Sequence, residues 1–364
     1  MSEAFHTLTI ASVRSIAGDA VEVVFSVPEA LAATFAFNPG QHMAVRAMID
    51  GAEQQRTYSI CSARGGALRL GIRHVAGGVF SSWANAHLKA GSTLEVAAPQ
   101  GRFTLPPPGA APRHLLMLAA GAGITPILGM TIEALETEPG TRVTLIYGMR
   151  TAASGMFFDE LEDLKDRFPS RFDLIPVLSR AGEAETELLQ GRMTGDKLKA
   201  MAAHRIAMGN VDRAFVCGPG DFIKQCRNAL FDLGLPRDKV HHEFFVGRTG
   251  ALPLATVAAP VQPPTEAAPK AGTIQAIAIL DGQRHRFPLA AGQHVLDAAL
   301  AAGLKPPHSC TAGMCSTCRA RVVEGHVTMT ANYSLEAWEM QRGFVLTCQA
   351  LATSDTLVVD YDAM

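Results

Sequence analysis

Cys310, Cys315 and Cys318 stand in C-x4-C-x2-C spacing, with Cys348 as a distant fourth. Thiolates are soft ligands, and this spacing is that of a [2Fe-2S] cluster held by four cysteines. Structural zinc is the alternative. Zinc usually takes two separate C-x2-C knuckles, whereas here the first three ligands share one loop, TAGMCST. Small residues (Ser309, Thr311, Ala312, Gly313, Ser316, Thr317) let that loop curl around inorganic sulfides and aim N–H groups at a negative cluster. The remaining three of the seven cysteines, Cys61, Cys217 and Cys226, are scattered. An odd count without an export signal argues for metal or redox chemistry and against a disulfide framework.

Three stretches suit phosphates. Arg56-Thr57-Tyr58-Ser59 opens a strand, and further along Gly77-Gly78-Val79-Phe80-Ser81-Ser82 begins a short helix whose N-terminus could hold a pyrophosphate. Gly121-Ala122-Gly123-Ile124-Thr125-Pro126 follows the apolar run HLLMLAA and opens another helix, as a nucleotide-binding turn does, although it ends in Pro where G-x-G-x-x-G ends in Gly. An NAD-specific site usually carries an acid at the end of the following strand. That strand ends here Tyr147-Gly148-Met149-Arg150, and Arg150, Arg180 (after Ser179) and Arg192 suit a 2′-phosphate. NADPH is therefore the expected donor; solvated arginines and NADH are the alternative.

The elements that must position these residues follow from texture. A chain of 364 residues is long enough for two or three domains. Hydrophobic residues at 48% and charged residues at 18% exclude a disordered or coiled-coil chain. A net charge of −2 gives no reason to expect nucleic acid or an anionic membrane as partner. No apolar run is long enough to span a bilayer and residues 1–10 lack a secretory pattern, so a soluble, cytoplasmic protein is expected.

Residues 1–107 hold short β-rich runs separated by turns (HTLTIASV, AVEVVFSV, QHMAVRAMI, ALRLGIRHV), predicting an antiparallel barrel with one helix at 80–88. Residues 108–248 alternate strands with helices near 127–136, 197–203 and 221–233, plus one on which Phe157, Leu161, Leu164 and Phe168 share a face; this predicts a doubly wound parallel sheet. Residues 249–271, rich in Ala and Pro, read as an extended linker on which the last domain could swing. Residues 272–364 predict an α+β domain with an Asp281-Gly282 hairpin turn and a helix near 294–302.

The cysteine loop and its surroundings resemble a plant-type ferredoxin domain with its β-grasp fold, and residues 6–248 resemble the ferredoxin-NADP reductase superfamily. That likeness implies FAD as cofactor. Arg56 would neutralise its diphosphate, Tyr58 would stack on the isoalloxazine and Ser59 would bond near N5. Thr57, Ile72, Arg73, His74 and Gly78 to Ser82 would complete the flavin site. Gly121, Gly123, Ile124, Thr125 and Pro126, with Cys217, Gly218 and Pro219, would form the nicotinamide side, and Glu243, Phe244 and Phe245 would lie beside the flavin. Tyr58, Ser59, Thr125, Cys217 and Glu243 would face the reacting centre; a core role is the alternative for Cys217 and Phe244.

A nicotinamide delivers a hydride and a [2Fe-2S] cluster takes single electrons, so a flavin is the step-down device required between them. The module order matches reductase components of bacterial oxygenases. The segment VTMTANYSLEAWEMQRGFVLTCQ, with Asn332-Tyr333 and 343–349, and DELEDLKDRF resemble the reductase subunits of phenylacetyl-CoA epoxidases. His308 replaces the aromatic expected before Ser-Cys, and Trp338 stands in a region usually more acidic. The resemblance implies delivery of electrons to a multisubunit diiron oxygenase that epoxidises phenylacetyl-CoA. A steroid or aromatic-ring hydroxylase is the rival acceptor, and a non-catalytic redox sensor the remote one. The many histidines, Cys61, Cys226 and Trp83 read as packing or surface.

Overall fold

The computed structural model describes residues 4–109, 111–180, 186–244, 272–308, 311, 313, 316–332, 335 and 337–363. The expected linker 249–271, Phe245, Cys310, Cys315 and Tyr333 lie outside them. Two compact units make up the chain, one over Phe5–Phe245 and the other containing Val246–Met364.

The first unit opens with β1 (Phe5–Ala17), β2 (Ala20–Ser26), β3 (His42–Ile49), β4 (Ala52–Ser59) and β5 (Arg69–Arg73), then α1 (Val79–His87) and β6 (Thr93–Ala97). Alternation drives these strands: Leu8 and Ile10 point into the core while Thr7 and Thr9 face outward. The order β4-β3-β6-β1-β2-β5 is antiparallel throughout. Its two edges meet through an Ile60–Leu70 bridge and a bond from Cys61 N–H to Arg69 O of 3.0 Å, closing the sheet into a barrel.

Next come β7 (His114–Ala120), α2 (Ile124–Thr137), β8 (Arg142–Met149), α3 (Phe158–Arg167), β9 (Phe172–Leu178), α4 (Gly195–His204), β10 (Arg213–Gly218), α5 (Gly220–Asp232) and β11 (Val240–Phe244). The strands are parallel in the order β11-β10-β7-β8-β9. β7 is buried from Leu115 to Ala119, as a strand covered on both faces must be. The order reverses between β7 and β10, which puts a crevice for ligands at their carboxyl ends. α3 is shorter than the shared face suggested. Phe157 caps it in a left-handed conformation (φ 57°) and Phe168 ends it, both still packed on the core.

Barrel and parallel sheet share one core, in which Ala20, Cys61, Phe103 and Leu105 pack with Met117, Tyr147 and Phe157. Arg69 ties the two together, pairing with Glu22 on β2 at 2.9 Å and with Glu160 on α3 at 2.6 Å.

The second unit contains β12 (Thr273–Leu280), β13 (Gln283–Ala290), α6 (Val295–Ala301), β14 (Arg319–Met329), α7 (Ala337–Gln341), β15 (Phe344–Leu346) and β16 (Ala350–Asp360). The order β13-β12-β16-β14-β15, with β12 and β16 parallel and α6 packed against the sheet, is a β-grasp. Its first hairpin turns at Asp281 (φ 51°) and Gly282 (φ 74°), the paired positive φ values of a type I′ turn.

Candidate functional site

At the end of β4, Arg56 and Tyr58 are partly buried and Ser59 is buried. Arg56 donates to the Gln55 carbonyl and to Gln54 Oε1, which holds its guanidinium along the strand. The Tyr58 ring lies 5.9 Å from that of Phe80 on α1, and burial pushes its hydroxyl well above the ordinary range, so it stays protonated. Thr57 lies between them on the same strand.

α1 starts at Gly78, which offers no side-chain cap, and first-turn N–H groups so exposed suit an anion. Ser81 and Ser82 bond back to the Gly78 carbonyl and Ser81 Oγ accepts from Val75 N–H, fixing the turn; Phe80 points into the barrel core and Val79 is exposed. At the end of β5 the expected residues separate. The Ile72 side chain is fully buried in the barrel core, so it can meet a ligand only through its backbone. Arg73 is committed to Asp19, at 3.0 Å, and to the Ser154 carbonyl, while His74 is exposed.

The turn after β7 sits at the switch point. A Cβ on Gly123 would lie 2.1 Å from the Cys217 carbonyl oxygen, so only glycine lets this turn seat on the end of β10. Gly121, Ile124 and Pro126 belong to the same turn and first helical residues, and Thr125 Oγ1 donates to the Ala122 carbonyl at 3.0 Å. Gly218 and Pro219 follow at the mouth of β10. The Cys217 side chain is fully buried in the core. Burial, then the charge of Glu243, pushes its thiol well above the usual range, so it is a neutral S–H and no nucleophile at neutral pH.

Glu243 is paired in register with Cys217 on the neighbouring strand. Its Oε2 lies 3.5 Å from Ser59 Oγ and its Oε1 lies 3.4 Å from His42 Nδ1. The carboxylate thus bridges barrel and parallel sheet at the mouth of the crevice. His42 was not singled out by sequence reasoning; the signal for it is the β3–β4 register, which pairs His42 with Ser59. Phe244 is buried edge-to-face on His242 at 5.4 Å.

Arg150 and Arg180 lie just past the ends of β8 and β9, joined by a bond from Arg180 N–H to Arg150 O of 2.9 Å, with Ser179 beside them. Arg192 follows Gly191, whose N–H bonds Leu178 O at 2.8 Å, so all three arginines stand at the carboxyl end of β8 and β9. No carboxylate pairs with any of them among the described residues.

In the second unit, Cys318 and Cys348 are buried in one apolar group with Leu296, Leu335, Phe344 and Leu346. Thr347 links them, donating from N–H and Oγ1 to the Cys318 carbonyl at 3.1 and 2.9 Å. Among the described residues of the stretch before Cys318, Thr311 (φ 51°), Gly313 (77°) and Ser316 (55°) take left-handed backbone conformations, which cost strain at the two non-glycine positions. Gln349 Nε2 braces this stretch at the Thr311 carbonyl, 3.1 Å away. A soft donor pair walled off from water fits a [2Fe-2S] cluster. The uncapped start of α1 and the Gly123 turn likewise fit the phosphates of FAD and a nicotinamide dinucleotide.

A closed antiparallel barrel, a parallel nucleotide-binding sheet and a cysteine-bearing β-grasp define a flavin- and nicotinamide-dependent electron-transfer oxidoreductase. Family profiles match in the same order: the oxidoreductase FAD-binding domain over residues 7–105, the oxidoreductase NAD-binding domain over 117–228, and the 2Fe-2S iron-sulfur cluster binding domain over 278–353. The chain belongs to the family of oxygenase reductase components that join these three domains. It is 40% identical to a subunit of the 1,2-phenylacetyl-CoA epoxidase of Escherichia coli (strain K12), over 99% of this chain and 98% of that one. It is 34% identical to the ferredoxin reductase component of 3-ketosteroid-9-alpha-monooxygenase of Rhodococcus rhodochrous, over 97% and 96%. The solved structure of phthalate dioxygenase reductase shares the fold, with a TM-score of 0.57, 21% identity and 98% of both chains covered. No helix among the described residues is long and apolar enough to cross a membrane.

Proposed function

We propose that this chain is the reductase component of a phenylacetyl-CoA epoxidase. It would draw electrons from NADPH and pass them through FAD and a [2Fe-2S] cluster to a multisubunit diiron oxygenase in the cytoplasm. The observation that carries this reading is 40% identity sustained over 99% of the chain, across all three domains. When bound, FAD supplies hydride acceptance and the cluster supplies one-electron transfer.

The residues of the chain bind, orient and shield. Arg56 and the first turn of α1 would hold the FAD diphosphate, and Tyr58 would cover the ring. Ser59 and Glu243 supply a hydroxyl and a carboxylate between which a proton can pass at Oγ and Oε2, once their 3.5 Å separation tightens on binding. The Gly123 turn would bring the dinucleotide backbone against β10, with Thr125 walling the nicotinamide side and the buried Cys217 backing it from the core. Arg150, Arg180 and Arg192 would take the 2′-phosphate. Cys310, Cys315, Cys318 and Cys348 would hold the cluster.

The test is NADPH oxidation by the purified chain mixed with phenylacetyl-CoA epoxidase oxygenase subunits, with and without phenylacetyl-CoA, and repeated with NADH. Consumption that depends on phenylacetyl-CoA and yields epoxide is the expected result. A second reading, a steroid oxygenase as acceptor, rests on 34% identity over 97% of the chain. It predicts turnover only when a 3-ketosteroid oxygenase and its steroid replace the first pair.

A further inference from the structure

Arg319 directly follows Cys318 at the start of β14, and its Nη1 lies 2.6 Å from Oε1 of Glu339 on α7. The Glu339 side chain is 1% exposed and that of Arg319 23%. A charge pair this secluded is weak evidence for stability, because desolvation offsets much of the attraction, so its position asks for another reason.

The position is specific. The Arg319 guanidinium lies over the Phe344 ring, 4.6 Å from its centroid, and Phe344 packs in the same apolar group as Cys318 and Cys348. Met340, the residue after Glu339, packs on that group too, and its sulfur lies 3.2 Å from Asn332 Nδ2. A fixed positive charge therefore lies against the apolar group that holds two of the four cysteines. Glu339, 1% exposed, stands where a charge is little screened, whereas Arg319, 23% exposed, is screened in part.

We infer that Glu339 is a positioning residue for electron transfer: by neutralising and orienting the Arg319 guanidinium beside Cys318, it holds down the reduction potential of the [2Fe-2S] cluster. Reduction adds negative charge, which an uncompensated Arg319 would favour and an uncompensated Glu339 would oppose. The inference rests on the reading of Cys310, Cys315, Cys318 and Cys348 as cluster ligands.

The experiment is a redox titration of the full-length holoprotein, following the electron paramagnetic resonance signal of the reduced cluster so that the flavin does not interfere. Glu339→Gln is expected to raise the cluster potential, Arg319→Gln to lower it, and the double variant to return towards wild type. Opposite signs are what a charge effect requires, whereas a merely structural role moves both single variants the same way. Glu339→Gln is the tolerable single change, since the remaining Arg319 is partly exposed and can reach water. If Arg319→Gln loses its cluster, the other two variants decide: an upward shift that the second substitution cancels supports the inference. Single variants that shift together, a double variant that keeps the full Glu339→Gln shift, or potentials unmoved with an intact signal overturn it. A wild-type protein without a [2Fe-2S] signal overturns the cluster reading and this inference with it.

Discussion

His42 Nδ1 lies 3.4 Å from Glu243 Oε1, and both side chains are nearly closed off from water. Glu243 therefore has two partners, a hydroxyl at Ser59 on one oxygen and an imidazole on the other, which fixes the plane of its carboxylate at the mouth of the crevice. Glu243→Gln keeps the shape and removes the proton acceptor. General acid–base groups contribute about a hundredfold or more. Electron transfer from the reduced flavin to the [2Fe-2S] cluster must release the proton that came with the hydride, so this step should slow by about that factor, read by stopped-flow recovery of flavin absorbance, while FAD content stays at that of the wild type. An unchanged transfer rate would remove Glu243 from the reacting centre.

Gly123 carries a sharper structural demand. A methyl group there would meet a backbone carbonyl at 2.1 Å, and backbone cannot swing aside as a side chain can. Gly123→Ala should cost about 1–3 kcal/mol, the range for overpacking a filled site. The turn would also lift off β10. Thermal melting would show the lost stability, and titration with NADP+ a weakened affinity; a variant with the wild-type melting temperature would refute the close approach.

The three arginines at the end of β8 and β9 give a prediction about donor choice. A guanidinium bond to phosphate is worth about 1.5–3 kcal/mol, or about 10- to 100-fold in affinity. Replacing Arg150, Arg180 or Arg192 with Gln should raise KM for NADPH for at least one of them by about tenfold. KM for NADH should stay put. Equal effects on both dinucleotides would count against a 2′-phosphate site.

What could be read from the residues divides along a physical line. Alternation in HTLTIASV, the uniformly apolar HLLMLAA and the Asp281-Gly282 turn are local signals, and the barrel, the buried β7 and the first β-grasp hairpin follow from them. The cysteine spacing is local as well. The His42–Glu243 contact joins residues 201 positions apart across two sheets, and Arg319–Glu339 depends on how α7 folds back on β14. Such pairs are set by register and packing, which composition and periodicity do not carry. Arg73 marks the same limit: the resemblance places it at the flavin site, and only the structure shows that Asp19 and the Ser154 carbonyl engage its guanidinium.

His242 on the edge strand β11 gives a pH dependence. Burial first, then the nearby charges of Arg227 and His241, lowers its pKa from 6.5 to about 4, and Arg227 Nη1 lies 3.4 Å from its Nε2. The folded protein thus holds this imidazole neutral, whereas the unfolded chain protonates it near pH 6.5. Between those two values the unfolded state binds more protons, so stability is full above about pH 6.5 and falls as pH drops towards about 4. A shift of this size corresponds to at most about 3 kcal/mol. His242→Asn, which cannot charge, should flatten the decline in melting temperature between about pH 7 and about pH 4 relative to wild type. Parallel melting curves for the two proteins across that range would assign acid sensitivity to other groups.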